Sequence, residues 1–360
     1  TSLGRSRVLR TLDSLIWDVA FGGAASAGSA GPTNPEKQTQ RMAENGGFSG
    51  SGSRGLEAKL PETVLICHDP TMDLTRAAVA KGAPVVFLDS DYLRSQEALA
   101  LGAEVAGDVR LDEYLAGASG SAVAVGEMPK SLARLNYLAR SIAGAGYHDV
   151  RVVLGANNKH LSRGMNAVLA RSFTDVGASL GRGKFRCLVA SGPREVSYEP
   201  TLGDGLVAVG GVFSGAKPDR GGELLRSCLP AECGRLLDLG CGNGSVTRGL
   251  GGAATDSDAD AVLSARAIGL DTTWDDAGSQ LSDASFDTIA LNPPFHDGTA
   301  VDATLVQHLL DASARLLAPG GALYLVHNSH LRYRGEVERR FGAVEQVARD
   351  TTFTVLRAIR

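Results

Sequence analysis

An apolar run halted by two consecutive prolines constrains this chain more than any other stretch. Residues 286–298 read Phe-Asp-Thr-Ile-Ala-Leu-Asn-Pro-Pro-Phe-His-Asp-Gly. Residues 288–291 predict a buried strand of an α/β sheet, and ligands of such sheets bind beyond the carboxyl ends of the strands. Asn292 stands at that end. Pro294 holds Pro293 out of the helical region and neither proline donates a backbone hydrogen bond, so the carbonyls of Asn292 and Pro293 face outward from a stiff turn. An Asn amide oxygen and a backbone carbonyl together can accept both hydrogens of a planar amino group, and the Phe295 ring can stack on the flat system carrying it. The pattern suits chemistry on an exocyclic amine. Taken alone, it reads equally well as a strand ending in a proline turn with a core Phe.

A second stretch supplies the context. Residues 235–244, Arg-Leu-Leu-Asp-Leu-Gly-Cys-Gly-Asn-Gly, predict a strand running into a loop with glycine at alternate positions, Gly240, Gly242 and Gly244. Such a loop brings bare backbone against a ligand. It lacks the Gly-x-x-Gly spacing of dinucleotide binders and the lysine of a P-loop, and it carries Asp238 two residues before its first glycine, where a carboxylate can accept from an ammonium group. The ligand that fits is S-adenosylmethionine, its amino-acid end over the glycines. Asp256, ending the next predicted strand (253–256), is placed to hold ribose hydroxyls. Asp275 or Asp276, after a short strand at 272–274, is placed to face the adenine amino group.

From residue 62 onward apolar strands and amphipathic helices alternate, the pattern of a mostly parallel sheet covered by helices. Strands are predicted at 63–67, 84–88, 122–125, 150–154 and 184–190, with helices at 73–81, 129–142 and 160–172. The turn after the first of these strands, residues 68–72, has no glycine. Where the second half carries Asn-Pro-Pro-Phe, this half has Glu127-Met128-Pro129-Lys130. The first half therefore reads as the same fold without the cofactor loop, with Lys130, Arg134, Arg140, Lys159 and Arg163 as candidate phosphate contacts. The chain divides into residues 1–55, an amphipathic helix over 8–21 followed by a Gly/Ala/Ser-rich flexible stretch; a degenerate domain, 56–190; a linker, 191–205; and a catalytic domain, 206–360. After the proline turn come a helix at 302–317, strands at 322–327 and 352–358, and a helix at 334–341.

Composition narrows the function classes. With 360 residues, 43% apolar, 21% charged and a net charge of −4, the chain has no bulk attraction to nucleic acid, so RNA contact requires local basic patches. No apolar run approaches the ~18 residues of a membrane span, which predicts a soluble cytoplasmic protein with no membrane partner. Cys67, Cys187, Cys228, Cys233 and Cys241 show no Cys-x-x-Cys pair, so reduced thiols and no metal site are expected.

The glycine loop followed by the Asn-Pro-Pro-Phe-His-Asp-Gly stretch resembles the class I S-adenosylmethionine-dependent methyltransferases that act on amino nitrogens. Residues 211–214 (Gly-Val-Phe-Ser) with Lys217, Asp219 and Gly221, and residues 319–333, are similar to bacterial ribosomal RNA guanine-N2 methyltransferases. Residues 128–135 and 328–333 lean toward the large-subunit (23S) type, the small-subunit (16S) type being the near alternative. The resemblance implies an α/β fold of two tandem Rossmann-like methyltransferase domains, the N-terminal one degenerate. It implies S-adenosylmethionine as cofactor, and Asn292, Pro293, Pro294 and Phe295 at the reaction centre. The implied partner is ribosomal RNA with a single-stranded or flipped guanine, and a monomer is expected. One departure stands out: eleven residues between Gly244 and Asp256 must hold both a helix and a strand, whereas such a crossover usually takes a dozen or more. The stretch from Asp260 to Trp274 is also short. Stunted helices and an eroded cofactor edge follow, with a non-catalytic RNA-binding scaffold as the rival reading.

Overall fold

The structure, a computed structural model, describes residues 9–22, 61–294, 300–331 and 333–360. The low-complexity stretch lies, from residue 23 on, outside the described residues. Within them the chain builds one α/β unit twice. The first sheet contains β1 (Thr63–His68), β2 (Val85–Phe87), β3 (Glu104–Val105), β4 (Ser121–Glu127), β5 (Asp149–Asn157), β6 (Phe173–Ala178) and β7 (Phe185–Pro193), in the order β3-β2-β1-β4-β5-β7-β6. A hairpin of β8 (Thr201–Gly203) and β9 (Leu206–Ala208) follows. The second sheet contains β10 (Leu236–Leu239), β11 (Ala253–Asp256), β12 (Asp271–Trp274), β13 (Phe286–Leu291), β14 (Leu317–Asn328), β15 (Val344–Arg349) and β16 (Phe353–Ile359), in the order β12-β11-β10-β13-β14-β16-β15. The two orders are the same permutation. In each sheet one strand, β7 or β16, runs opposite to the other six.

Besides the β8–β9 hairpin, the strands absent from the sequence reading are β3, β6 and β15, at the edges of the two large sheets. Their residues are mostly exposed, so no apolar run marks them. The central strands β1 and β10 are buried almost throughout, as both-face coverage by helices requires.

Helices α1 (Thr11–Phe21), α2 (Asp73–Ala80), α3 (Tyr92–Ala100), α4 (Leu111–Tyr114), α5 (Leu132–Ala143) and α6 (Arg163–Ala170) serve the first sheet. Helices α7 (Arg220–Cys228), α8 (Ala259–Ala267), α9 (Ala300–Leu316) and α10 (Arg334–Phe341) serve the second. α1 packs Leu12, Leu15 and Ile16 into one core cluster with Ile66, Val125 and Val153, each burial stabilising by about 1.5–3 kcal/mol. It lies so close to β5 that a Cβ at Gly155 would stand 2.5 Å from Ile16 Cγ1. α7 takes the corresponding place against β14 and β16, with Leu225 fully buried. The shortened crossover after the glycine loop contains turns and no helix between Gly244 and Ala253, whereas α8 forms in full over nine residues. No described helix is long and apolar enough to cross a membrane.

The two units join where β2 and β11 end. Tyr92 N–H donates to the Ser257 carbonyl (2.9 Å) and Ala259 N–H to the Ser90 carbonyl (2.8 Å), a reciprocal bridge centred on Asp91 and Asp258. These two aspartates are also the N-caps of the equivalent helices α3 and α8. Arg134 of α5 crosses this junction, donating to the Leu88 carbonyl (2.6 Å) and to Asp260 Oδ1 on α8 (2.5 Å). Its side chain is only 12% exposed and that of Asp260 3%. Arg134 is thus no surface phosphate contact: a tertiary partner invisible in the sequence claims it. Asp260 Oδ2 also accepts the Gly211 N–H (2.7 Å), drawing in the loop before α7. Removing one partner of a buried ion pair leaves an uncompensated charge. Arg134→Ala is therefore expected to lower the unfolding free energy by about 3–5 kcal/mol in urea titrations, while Arg134→Met combined with Asp260→Leu recovers most of it. An unchanged midpoint for Arg134→Ala contradicts the assignment.

Candidate active site

A cavity of about 500 Å³ opens at the carboxyl ends of β10, β11 and β13, where the strand order of the second sheet reverses. Its floor is the glycine loop. Gly240 and Gly242 have φ of +75° and +53°, and a Cβ on either would meet nothing within 4 Å. Their bare backbone forms the cavity wall. Gly244 serves differently: its Cβ would collide with Leu270 Cδ1 at 2.6 Å, so it permits close packing beneath the loop and lies outside the cavity lining. Asn243 fastens the loop to the preceding segment, its Nδ2 donating to the carbonyls of Gly215 (2.7 Å) and Lys217 (2.8 Å). Sequence reading missed this staple, because a loop Asn carries no mark of its distant partners.

The acidic candidates separate into two sets. Asp256 and Asp276 line the cavity. Asp256, at the end of β11, accepts the Gly242 N–H (2.9 Å) and the Asp258 N–H (2.9 Å), so the carboxylate that the sequence reading assigned to ribose fixes the loop above it. Burial, helped by neighbouring Asp258, pushes its carboxyl up to about 6. Asp276 pairs with His308 Nε2 of α9 at 3.0 Å. Asp238 and Asp275 are turned away from the cavity. Asp238 is 1% exposed inside β10 and accepts from Thr247 Oγ1 (2.7 Å); burial pushes it up to about 7. Asp275 is fully buried and accepts from Thr255 Oγ1 and from the backbone of Gly278 (2.9 Å) and Gln280 (3.1 Å), holding the turn after β12.

Beside the loop stands the proline turn. Asn292, Pro293 and Pro294 all line the cavity, with Pro293 buried and Asn292 half-buried. Phe295, the expected stacking partner, lies outside the described residues. Asn292 Nδ2 donates to Asp219 Oδ2 (3.2 Å), the N-cap of α7. Apolar wall comes from Ala261, Leu305, Leu309, Phe353 and the exposed ring of Phe213. Leu305 and Leu309 are one helical turn apart, a signal present in the sequence that did not say which neighbour they meet. Cys241 also lines the wall, and burial raises its thiol well above its ordinary value, which disfavours the thiolate. Cys228, Cys233 and Cys241 are free, and no cluster of potential metal ligands occurs among the described residues.

The open cradle at Gly240 and Gly242, two carboxylates at neighbouring strand ends and an apolar wall fit a nucleoside cofactor with an amino-acid tail. The volume is within the ~300–1,000 Å³ of small-molecule sites. In the first unit the same places are filled from within. Asp89, just beyond β2, is gripped by Arg94 (2.9 and 2.8 Å) and by His68 Nδ1 (2.9 Å), and these partners hold its carboxyl well below the usual range despite burial. Glu127, ending β4, is met by Arg10 (2.5 Å), whose guanidinium also binds buried Asp13. No glycine cradle precedes α2, whose N-cap is Met72.

Comparison with known proteins agrees with this geometry. The methyltransferase small domain family matches residues 205–357. A ribosomal RNA large subunit methyltransferase G from Shewanella amazonensis is 31% identical over 266 residues, covering 65% of this chain and 68% of that protein. The protein of the same name from Pseudomonas syringae pv. tomato is 33% identical over 268 residues, covering 64% and 69%. Among solved structures, the T. thermophilus 16S rRNA N2 methyltransferase RsmC, in complex with AdoMet and guanosine, superposes with a TM-score of 0.67 at 24% identity, over 84% of this chain and 88% of that one. That likeness spans both units of the fold. With its second unit carrying an open glycine cradle that the first lacks, the chain belongs to the ribosomal RNA large subunit methyltransferase G family, whose cofactor is S-adenosylmethionine.

Proposed function

We propose that this protein methylates the exocyclic N2 amine of a guanine in ribosomal RNA, the 23S molecule of the large subunit, acting in the cytoplasm as a monomer. The observation that carries the reading is the placement of Asn292 and the Pro293 backbone on the same cavity as Gly240 and Gly242. Gly240, Gly242, Asp256 and Asp276 hold the cofactor, with residues 206–360 as the catalytic domain. When bound, S-adenosylmethionine supplies an electrophilic methyl group.

The rest is the work of the chain's own residues. A guanine amino nitrogen is a weak nucleophile because its lone pair is delocalised into the ring. Asn292 Oδ1 and the Pro293 carbonyl accept its two N–H bonds, draw it toward a tetrahedral form and stabilise the positive charge that develops on it. Positioning contributes most of the acceleration, by holding the amine at near-attack distance. The turn is stiff because both prolines fix φ. A base paired within a helix cannot reach this cavity, so the target guanine is single-stranded or flipped out. Lys130, Lys159 and Arg163, exposed beyond the carboxyl ends of β4 and β5, serve as phosphate contacts of the first unit. Arg140 is partly committed to the Ser197 carbonyl (2.8 Å) and contributes less.

The absent helix after Gly244 favours a scaffold without catalysis, but the loop itself keeps both open glycines and its tie to Asp256. Transfer of labelled methyl to purified 23S and 16S ribosomal RNA separates the readings. The enzyme reading requires incorporation at guanine N2 in 23S RNA; incorporation in 16S RNA alone reassigns the substrate, and no incorporation with no cofactor binding at millimolar concentration favours the scaffold. Asn292→Ala is expected to lower single-turnover methyl transfer by about 100-fold or more, with calorimetric cofactor affinity changed less than about threefold. Cofactor affinity has a pH dependence of defined sign. Ionised Asp256 accepts hydroxyl donors more strongly, and its carboxyl sits near 6, so affinity falls as pH drops from 7.5 to 5. Asp256→Asn flattens that dependence in the same titration.

A further inference from the structure

We infer that Asp219 is the positioning residue that fixes which way the Asn292 amide faces, an assignment that rests on Asn292 being the acceptor for the substrate amine. An Asn side chain can exchange its oxygen and nitrogen by a half-turn, and only one orientation presents an acceptor to an amine. Asn292 Nδ2 donates to Asp219 Oδ2 at 3.2 Å. The same carboxylate oxygen accepts the Gly222 N–H at 3.1 Å, so it is anchored at the N-cap of α7. A carboxylate only accepts. In the flipped orientation Asn292 Oδ1 would face Asp219 Oδ2, two acceptors in contact, and that orientation is disfavoured. Both residues line the cavity; with Nδ2 committed to Asp219, Oδ1 is the amide atom left for a ligand. The negative charge behind the amide also polarises it, strengthening Oδ1 as an acceptor when the amine nitrogen becomes positive.

The approach of α7 is built for this contact. A Cβ at Gly222 would stand 3.1 Å from Val246 Cγ2 and 3.5 Å from Asn292 Nδ2, and one at Gly221 3.1 Å from Asp219 Oδ2 and from Phe353 Cε1. Side chains at these positions would push the helix start off the strand ends. The first unit supplies an independent comparison. Arg10, the N-cap of α1, meets Glu127 at the end of β4 (2.5 Å). Both units therefore keep a contact from the helix cap to the residue at the strand end. In the first it is an ion pair that consumes the carboxylate; in the second it is an acceptor–amide pair that leaves an uncharged oxygen free.

Asp219→Ser is the informative variant, because serine keeps the helix cap but its hydroxyl is too short to reach Asn292. Single-turnover methyl transfer to 23S ribosomal RNA is expected to fall by about tenfold or more, with cofactor affinity from calorimetry and thermal midpoint near wild type. Asp219→Asn, which can still accept from Nδ2, recovers most of the loss. In an Asn292→Ala background, Asp219→Ser adds no further loss, a non-additivity that a merely structural cap would not produce. Wild-type rate in Asp219→Ser, or full additivity in the double variant, overturns the assignment. Absence of transfer by the unaltered protein, or full transfer by Asn292→Ala, overturns the underlying reading of Asn292 instead.

Discussion

The junction of the two strand ends, Ser90 to Tyr92 against Ser257 to Ala259, is the contact on which the cavity depends. Ser257 and Asp258 line the cavity wall and are paired on their other side to the first unit. Arg134 reinforces the bridge with a guanidinium withdrawn from water and held by Asp260 and the Leu88 carbonyl. Trp274 adds an edge-on contact to Tyr92 (5.2 Å between ring centroids) and donates its indole N–H to the Ser257 carbonyl (3.1 Å). The strand end that brings Asp256 to the cavity is thereby fixed by backbone and buried charge. On the other side of the glycine loop, turns stand where a crossover helix would otherwise brace it.

The two units keep one strand order with different residues at the strand ends. The two sheets share strand order, the flanking helices α1 and α7 lie against equivalent strands, and a capping aspartate opens both α3 and α8. The first unit differs at few places: no glycine cradle follows β1, Arg94 pairs with Asp89, to which His68 is also hydrogen-bonded, and Arg10 pairs with Glu127. The pairings at Asp89 and Glu127 satisfy two carboxylates from within the unit. Lys130, Lys159 and Arg163 remain exposed beyond its strand ends.

Much of this was legible in the sequence, for identifiable reasons. The glycine loop and the proline turn are local: backbone conformation at Gly240 and Gly242 and the stiffness of Pro293-Pro294 follow from residue type, and both stretches end strands that are buried almost throughout. Side-chain direction was not legible. Asp275 and Asp276 are neighbours in a turn, yet one is sunk under it and the other faces the cavity, because only Asp275 finds Thr255 and two backbone donors. Asp238 alternates to the inner face of β10, where Thr247 satisfies it. Arg134 flanks the apolar stripe of α5 formed by Leu135, Leu138 and Ile142; nothing local reveals that a second unit covers that flank. Edge strands such as β6 and β15 lacked the apolar periodicity that burial imposes.

The central claim is that the cavity beside Asn292 methylates guanine N2 in large-subunit ribosomal RNA. The most direct measurement is mass-spectrometric mapping of methylated guanines in 23S and 16S ribosomal RNA from cells with and without the gene, complemented by wild type and by Asn292→Ala. The account predicts that one N2-methylguanine of 23S RNA disappears on deletion and returns only with the wild-type copy. Unchanged 23S and 16S methylation on deletion, or full restoration by Asn292→Ala, would contradict it.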